Sequence, residues 1–261
     1  SLETFTTKTT ELRIDQQISR LITKFSEKLK STSNVRNQLN PVENYDPSNR
    51  RFHAPEIIGI TEKKLMNDTI KVLFDTDIGS DIDDAVALAY LLAQPRCDLL
   101  GITTVSGQPI ERAKLASAIC KTAGADIPII PGHEHRLDGP TRQPEVPQTS
   151  VLPNWEHDTR FSDQGAIDFM AETIRNNPNE VALLAVGPVT NVARLFNEHP
   201  DTASLLKSLH MMIGRFSDSR ELPVSEWNAH CDPAAADVVY STAAPSHTSL
   251  GLDVTHQVVM D

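Results

Sequence analysis

An open, mainly parallel α/β sheet with helices on both faces is what the chain encodes from Lys71 onward, and three observations lead there. Short apolar segments alternate with longer amphipathic ones across residues 71–254. The short segments carry apolar residues on both faces rather than at every second position, as strands do when both faces of a parallel sheet are covered. The densest group of chemically active side chains falls at the carboxyl end of the first such segment, where open α/β sheets take their ligands.

In chain order, "KVLF" (71–74) reads as a short buried strand, followed by a helix over about 82–94. "DLLGITTV" (98–105) is a second strand, "IERAKLASAICKTAG" (110–124) a second helix and "IPII" (127–130) a third strand. The Pro-rich stretch 128–160 follows, a long loop suited to covering a ligand, with His133, His135 and His157 read as surface histidines. Beyond it come a helix at 163–177, the strand "EVALLAV" (180–186) and a helix at 189–199. The strand "LHMMIG" (209–214), a helix at 232–242 and the strand "SLGLDV" (249–254) complete the series.

Residues 1–68 differ in kind. Leu12, Ile18, Leu21, Ile22, Phe25 and Leu29 recur near helical spacing, which suggests one amphipathic helix; the polar stretch 31–56 after it, with three prolines, reads as a linker or arm. The expected organisation is an N-terminal helix and arm over 1–68 and an α/β domain over 69–261.

A formal net charge of -11, from 35 acidic against 24 basic residues, argues against general affinity for nucleic acid or anionic membrane. A small neutral or cationic ligand, or a metal, fits better. Cys97, Cys120 and Cys231 are far apart and odd in number, so neither a disulfide framework nor a paired-cysteine metal knuckle is expected, and reduced thiols in a cytoplasm are. No run approaches the ~20 apolar residues of a membrane span. The chain begins with Ser1 and ends at Asp261 after an apolar run, which suggests a piece of a longer protein.

Asp75, Asp77, Asp81, Asp83 and Asp84 stand within ten positions, and no Lys or Arg lies between Lys71 and Arg96 to balance them. Helix capping by Asp81 or Asp83 explains one or two of them. The rest must be protonated or share a cation, because like charges ~4 Å apart repel by about 4 kcal/mol at an effective dielectric of 20. With no His or Cys in the stretch, the donor set suits Ca²⁺ or Mg²⁺ rather than Zn²⁺, a solvated acidic loop being the plainer alternative. An EF-hand is excluded, since Ser80 and Val86 stand where its glycine and closing glutamate belong. A Mg²⁺-dependent phosphohydrolase of the haloacid-dehalogenase type, with Asp75 or Asp77 as nucleophile, remains an alternative.

"DTDIGSDIDDAVAL" resembles the N-terminal signature of the nucleoside hydrolases, whose commonest form is Asp-x-Asp-Pro-Gly-x-Asp-Asp-Ala. Asp75, Asp77, Gly79, Asp83, Asp84 and Ala85 match it, with Ile78 in place of proline and two extra residues before Asp83. "GITTVSGQP", "LLAVGPVTNVARL", "SEWNAHCDPAAADVV" and "GLDVTHQ" resemble later family segments in the same order. The resemblance implies a Rossmann-like core and Ca²⁺-dependent hydrolysis of ribonucleosides to base and ribose. It implies Ca²⁺ on Asp77, Asp84 and the carbonyl of Val186, with Asp77 also taking the proton of the attacking water. Asp83, Gln108, Glu226 and Asn228 would contact the sugar, and Met212 would lie beneath it. Gln108 replaces the usual Asn. The family also draws a last calcium ligand and a leaving-group contact from a His-Asp pair about fifty residues beyond "LDVTH", and His230 is a candidate substitute for that acid. A dimer or tetramer is the family's usual assembly. A relative that binds sugar or metal without turnover is the third possibility. Asn191 reads as a cap or pin at a helix start.

Overall fold

The computed structural model describes residues 69–218 and 222–258. The expected arm over 1–68 lies outside the described residues.

Six strands form one sheet in the order β3-β2-β1-β4-β5-β6, every pairing parallel. β1 (Ile70–Thr76) is central; α1 (Asp83–Ala93) leads from it to β2 (Cys97–Thr104), and α2 (Pro109–Ala123) leads on to β3 (Ile129–Pro131). A 3-10 turn at Pro147–Asn154 interrupts the long loop before α3 (Ala166–Asn176). The chain then returns to the other side of β1 as β4 (Val181–Ala185), and continues through α4 (Thr190–Glu198), the single-turn α5 (Thr202–Leu205) and β5 (Ser208–Met212). Two short helices, α6 (Trp227–Cys231) and α7 (Pro233–Ser241), precede the edge strand β6 (His247–Leu250) and α8 (Leu252–Thr255).

Alternate β1 residues feed opposite layers, which explains the unbroken apolar run in the sequence. Val72 and Phe74 pack with Leu88 of α1 and Ala116 and Ile119 of α2. Leu73 points the other way, into Met170 of α3, Val192 of α4 and Val239 of α7. Burying each such side chain contributes roughly 1.5–3 kcal/mol, so both faces of the sheet are committed. α2 has well-marked ends: Pro109 opens it, and Gly124 at φ 68 closes it by donating to the carbonyls of Cys120 and Lys121.

Three expectations change. "SLGLDV" is not one strand: β6 stops at Leu250 and Leu252–Thr255 is helical. Asp253 accepts from the backbone N–H groups of Phe216 (2.6 Å) and Ser217 (2.8 Å), while Leu252 N–H reaches the Gly214 carbonyl, and these contacts turn the chain away from the sheet. Neither Asp81 nor Asp83 caps α1; the cap position is Ile82, without a side-chain bond, and its apolar side chain packs near Leu115 and Val146 instead. The two extra residues of the loop put an anchor there rather than a cap. Asn191 does not cap α4, whose cap position is Val189.

Among the described residues no helix is long and apolar enough to cross a membrane.

Candidate active site

The strand order reverses at β1 and β4, so their carboxyl ends open a crevice where the chain leaves in opposite directions. The aspartate cluster sits there. Asp75, the next-to-last residue of β1, pairs in register with Thr103 and Ala185 and is fully buried on the α3–α4 side. Its Oδ1 accepts from Thr103 Oγ1 (2.6 Å) and Asn191 Nδ2 (2.8 Å), while Oδ2 has no partner. Burial pushes this carboxyl up to about 7 against those two bonds. Asn191 also donates to the Thr104 carbonyl and accepts from His133 N–H, so it pins α4 to β1, β2 and the long loop. His133 is half-buried rather than a surface histidine, and burial lowers its pKa.

Asp77 and Asp84 form the centre. They are 9% and 8% exposed, and their carboxyls are within hydrogen-bonding reach of one another. Asp84 also accepts from the Thr76 hydroxyl, whose oxygen in turn takes the Ile78 N–H at 3.0 Å. Burial raises Asp77 to about 6 with the positive charge of Arg112 opposing it; burial and the Asp77 charge raise Asp84 well above the carboxylate range. Asp83 is exposed in the first turn of α1, close enough for its charge to act on Asp77, Asp81 and Asp84.

The opposite wall comes from the ends of β4 and β5. Val186 donates its N–H to the Asp75 carbonyl, and its own carbonyl accepts from Asn228 Nδ2 at 2.7 Å. The same Nδ2 reaches the Met212 carbonyl at 2.9 Å, so one amide ties two strand ends to α6. Glu226, 3% exposed, is the cap of α6: it accepts from Asn228 N–H (2.7 Å), Ala229 N–H (2.9 Å) and Gly214 N–H (3.1 Å). Glu226 and Asn228 thus sit at strand ends, on a helix N-terminus. Gln108 adopts a left-handed φ of 58, is exposed, and donates to the Pro144 carbonyl at 2.7 Å.

The long loop crosses the mouth of the crevice. Gln143 donates to the Ser80 hydroxyl and accepts from Trp227 Nε1 (2.9 Å), and Arg142 donates to the His230 carbonyl. His230 is exposed, its ring 5.7 Å from that of Trp227.

The crevice passes the test for a hard divalent cation. A Cβ at Gly187 would lie 2.7 Å from Asp77 Oδ1, so the backbone after Val186 closes on that carboxylate as only glycine allows. Two buried carboxylates and a nearby carbonyl are oxygen donors of the type Ca²⁺ takes, and they leave the remainder of its six to eight positions to other oxygens. Among the described residues no group of three or more His, Cys, Asp or Glu side chains could hold a metal.

The family model for the inosine-uridine preferring nucleoside hydrolases matches residues 72–261. The chain belongs to that family. An uncharacterized protein of Schizosaccharomyces pombe is 35% identical over 201 residues, covering 72% of this chain and 63% of its own length. The pyrimidine-specific ribonucleoside hydrolase RihA of Citrobacter koseri is 31% identical over 207 residues, with 72% and 62% covered. Among solved structures, a plant nucleoside hydrolase superposes with a TM-score of 0.65 at 28% identity, covering 72% of this chain and 62% of that one. The chain thus spans just over six-tenths of the length of relatives it matches.

Sequence reasoning about the nucleoside hydrolase signature found the acids and missed what holds them. Arg112, 0% exposed on α2, donates from Nε to the Gly107 carbonyl (2.8 Å) and from Nη1 to the carbonyls of Asp77 and Ile78 and the Ser80 hydroxyl. A lone Arg in the apolar stretch "IERAKLASAIC" was the available signal. Asp232 was read only as a helix opening. It is a fully buried hub that accepts from Ala235 N–H (3.0 Å), Leu137 N–H (2.9 Å) and the Thr190 hydroxyl (2.6 Å).

Proposed function

We propose that the chain carries the catalytic half-site for Ca²⁺-dependent hydrolysis of the N-glycosidic bond of ribonucleosides, releasing base and ribose. The observation that carries this is the buried Asp77–Asp84 pair, closed on one side by Val186 and Gly187 at the β1–β4 switch point. Asp77, Asp84 and the Val186 carbonyl would hold the ion. Bound there, Ca²⁺ supplies charge that lowers the pKa of a water and orients the ribose hydroxyls.

The chain's own groups do the rest. Asp77 accepts the proton of the attacking water, a role suited to a carboxylate at the strand end beside the ion. The negative field of Asp77, Asp83 and Asp84 stabilises positive charge developing on the ribose ring as the base departs. Asp83, Glu226 and Asn228 bind sugar hydroxyls, with Met212 below and Gln108 at the rim. Glu226 and Asn228 are held rigid by the caps and strand-end bonds described above, so they enter the reaction already oriented. The long loop, latched through Gln143, keeps bulk water from the crevice. The names of relatives such as RihA support ribonucleosides as the substrate class.

Three free thiols, Cys97 half-buried and Cys120 and Cys231 buried, support a reducing compartment, and we place the protein in the cytoplasm. We take the working form to be a homo-dimer or tetramer, which light scattering checks. A phosphohydrolase with Asp75 as nucleophile is disfavoured, because that carboxylate is fully buried and its Oδ1 is occupied by Thr103 and Asn191.

The test is release of reducing sugar from a panel including uridine and inosine, using the full-length protein. Ribose release that stops with a calcium chelator, returns on adding Ca²⁺ and is absent in Asp84→Ala is expected. Phosphate release from a generic ester without ribose release would overturn the proposal.

A further inference from the structure

The 77–82 loop carries Ile78 where the commonest signature has proline, and two residues more before Asp83. The loop turns two successive carbonyls, of Asp77 and Ile78, toward the protein interior, and both end on Arg112 Nη1, with Ser80 Oγ at 3.0 Å. The same guanidinium holds the next loop by its Nε bond to the Gly107 carbonyl, and Gly107 itself presses against the backbone of Gln143 and Pro144. One planar fork therefore sets the loop after β1 relative to the loop after β2. Turning the Asp77 carbonyl inward is what leaves its side chain facing Asp84 and Gly187.

We propose that Arg112 is a positioning residue for the cation cradle, a fork that dictates where the Asp77 carboxylate points. This rests on the Ca²⁺ reading above. Its action is geometric, because a positive charge beside the cradle repels the ion that the cradle holds. The orientation it imposes outweighs that repulsion, and the two effects are separable by substitution. Arg112→Lys keeps the charge and loses the fork.

Calcium titration calorimetry of the wild-type and Arg112→Lys full-length chains, with hydrogen exchange of peptides covering 77–84 measured on both without metal, tests this. A rise in the Ca²⁺ dissociation constant of about tenfold or more is expected, as for other groups that orient metal ligands. Faster exchange in 77–84 is expected with it, and none in α3 or α4. Unchanged affinity together with unchanged exchange overturns the inference. If the wild-type chain takes up no Ca²⁺, the calcium reading fails and exchange alone decides: faster exchange at 77–84 in the lysine variant upholds the positioning role, and equal exchange overturns it. Should the lysine variant not fold, Ser80→Ala removes one acceptor of the fork at the half-buried rim, and Gln143→Ala, measured beside it, removes the other partner of that hydroxyl. A weakening of about 2- to 10-fold in Ser80→Ala, the scale of one hydrogen bond, that Gln143→Ala does not reproduce supports the role, and no change in Ser80→Ala, or an equal weakening in both, overturns it.

Discussion

Asp232 and Glu226, on the α6–α7 side of the crevice, are as buried as Asp77 and Asp84 on the β1 side, yet the protein solvates the two pairs in opposite ways. Asp232 and Glu226 each accept three hydrogen bonds, five of the six from backbone N–H groups and three of those at helix starts. Asp77 and Asp84 face each other, with the Thr76 hydroxyl on Asp84, and their carboxyls are pushed upward by burial. The difference shows that burial of a carboxylate does not by itself identify a metal seat. The proposed seat differs in having few donors around acids that the fold nevertheless takes out of water.

Substitutions at the two pairs should therefore diverge. The largest effect is on chemistry: Asp77→Ala lowers ribose release by about 10²–10⁴, the range for losing a proton acceptor, and Ca²⁺ binding disappears in calorimetry. Its metal-free unfolding free energy stays equal or rises, since a buried carboxyl whose charged form burial disfavours has gone. Asp232→Ala does the reverse. It removes a cap and strands the Leu137 N–H and Thr190 hydroxyl, lowering stability by about 3 kcal/mol in urea denaturation. A destabilised Asp77→Ala with an intact Asp232→Ala would break the comparison.

Next in size is the response to pH. Asp75 at about 7 and Asp77 at about 6 both lie above the unfolded value of 3.8. Raised carboxyls contribute stability that is present below the unfolded value and lost as pH rises through the folded one. The metal-free protein should thus melt higher at pH 5 than at pH 8, at about 2–4 °C per kcal/mol for a domain of this class. Calcium should flatten that slope, because a cation stabilises the charged carboxylates of Asp77 and Asp84. A metal-free melting temperature that climbs from pH 5 to pH 8 would contradict the picture. The smallest effect belongs to the surface: Glu180→Gln, which breaks the exposed Lys71–Glu180 pair, changes stability by less than about 1 kcal/mol in the same assay.

The sheet was legible because Val72, Leu73 and Phe74 are apolar without alternation, a pattern that only a two-sided strand satisfies. The acids were legible because five of them stand within ten positions. Their supports were not. Arg112 meets Asp77 across 35 residues, Asn191 meets Asp75 across 116, and Leu137 meets Asp232 across 95. No local period encodes such pairs. Glu226 and Asn228 were found through the resemblance, but their attachment to a helix start was not, because α6 spans only five residues and carries no apolar repeat. "SLGLDV" misled for the opposite reason: Gly251 separates two apolar stretches that look continuous until the Asp253 carboxylate bends the second away.

Gly187 carries a consequence of its own. Its backbone needs no left-handed angle, so alanine is conformationally allowed there, yet the added carbon would fall 2.7 Å from Asp77 Oδ1 and 2.8 Å from its backbone nitrogen. One methyl group would therefore push on Asp77 at its main chain and its carboxylate together, so the spacing between the ends of β1 and β4 is set by the absence of a single carbon.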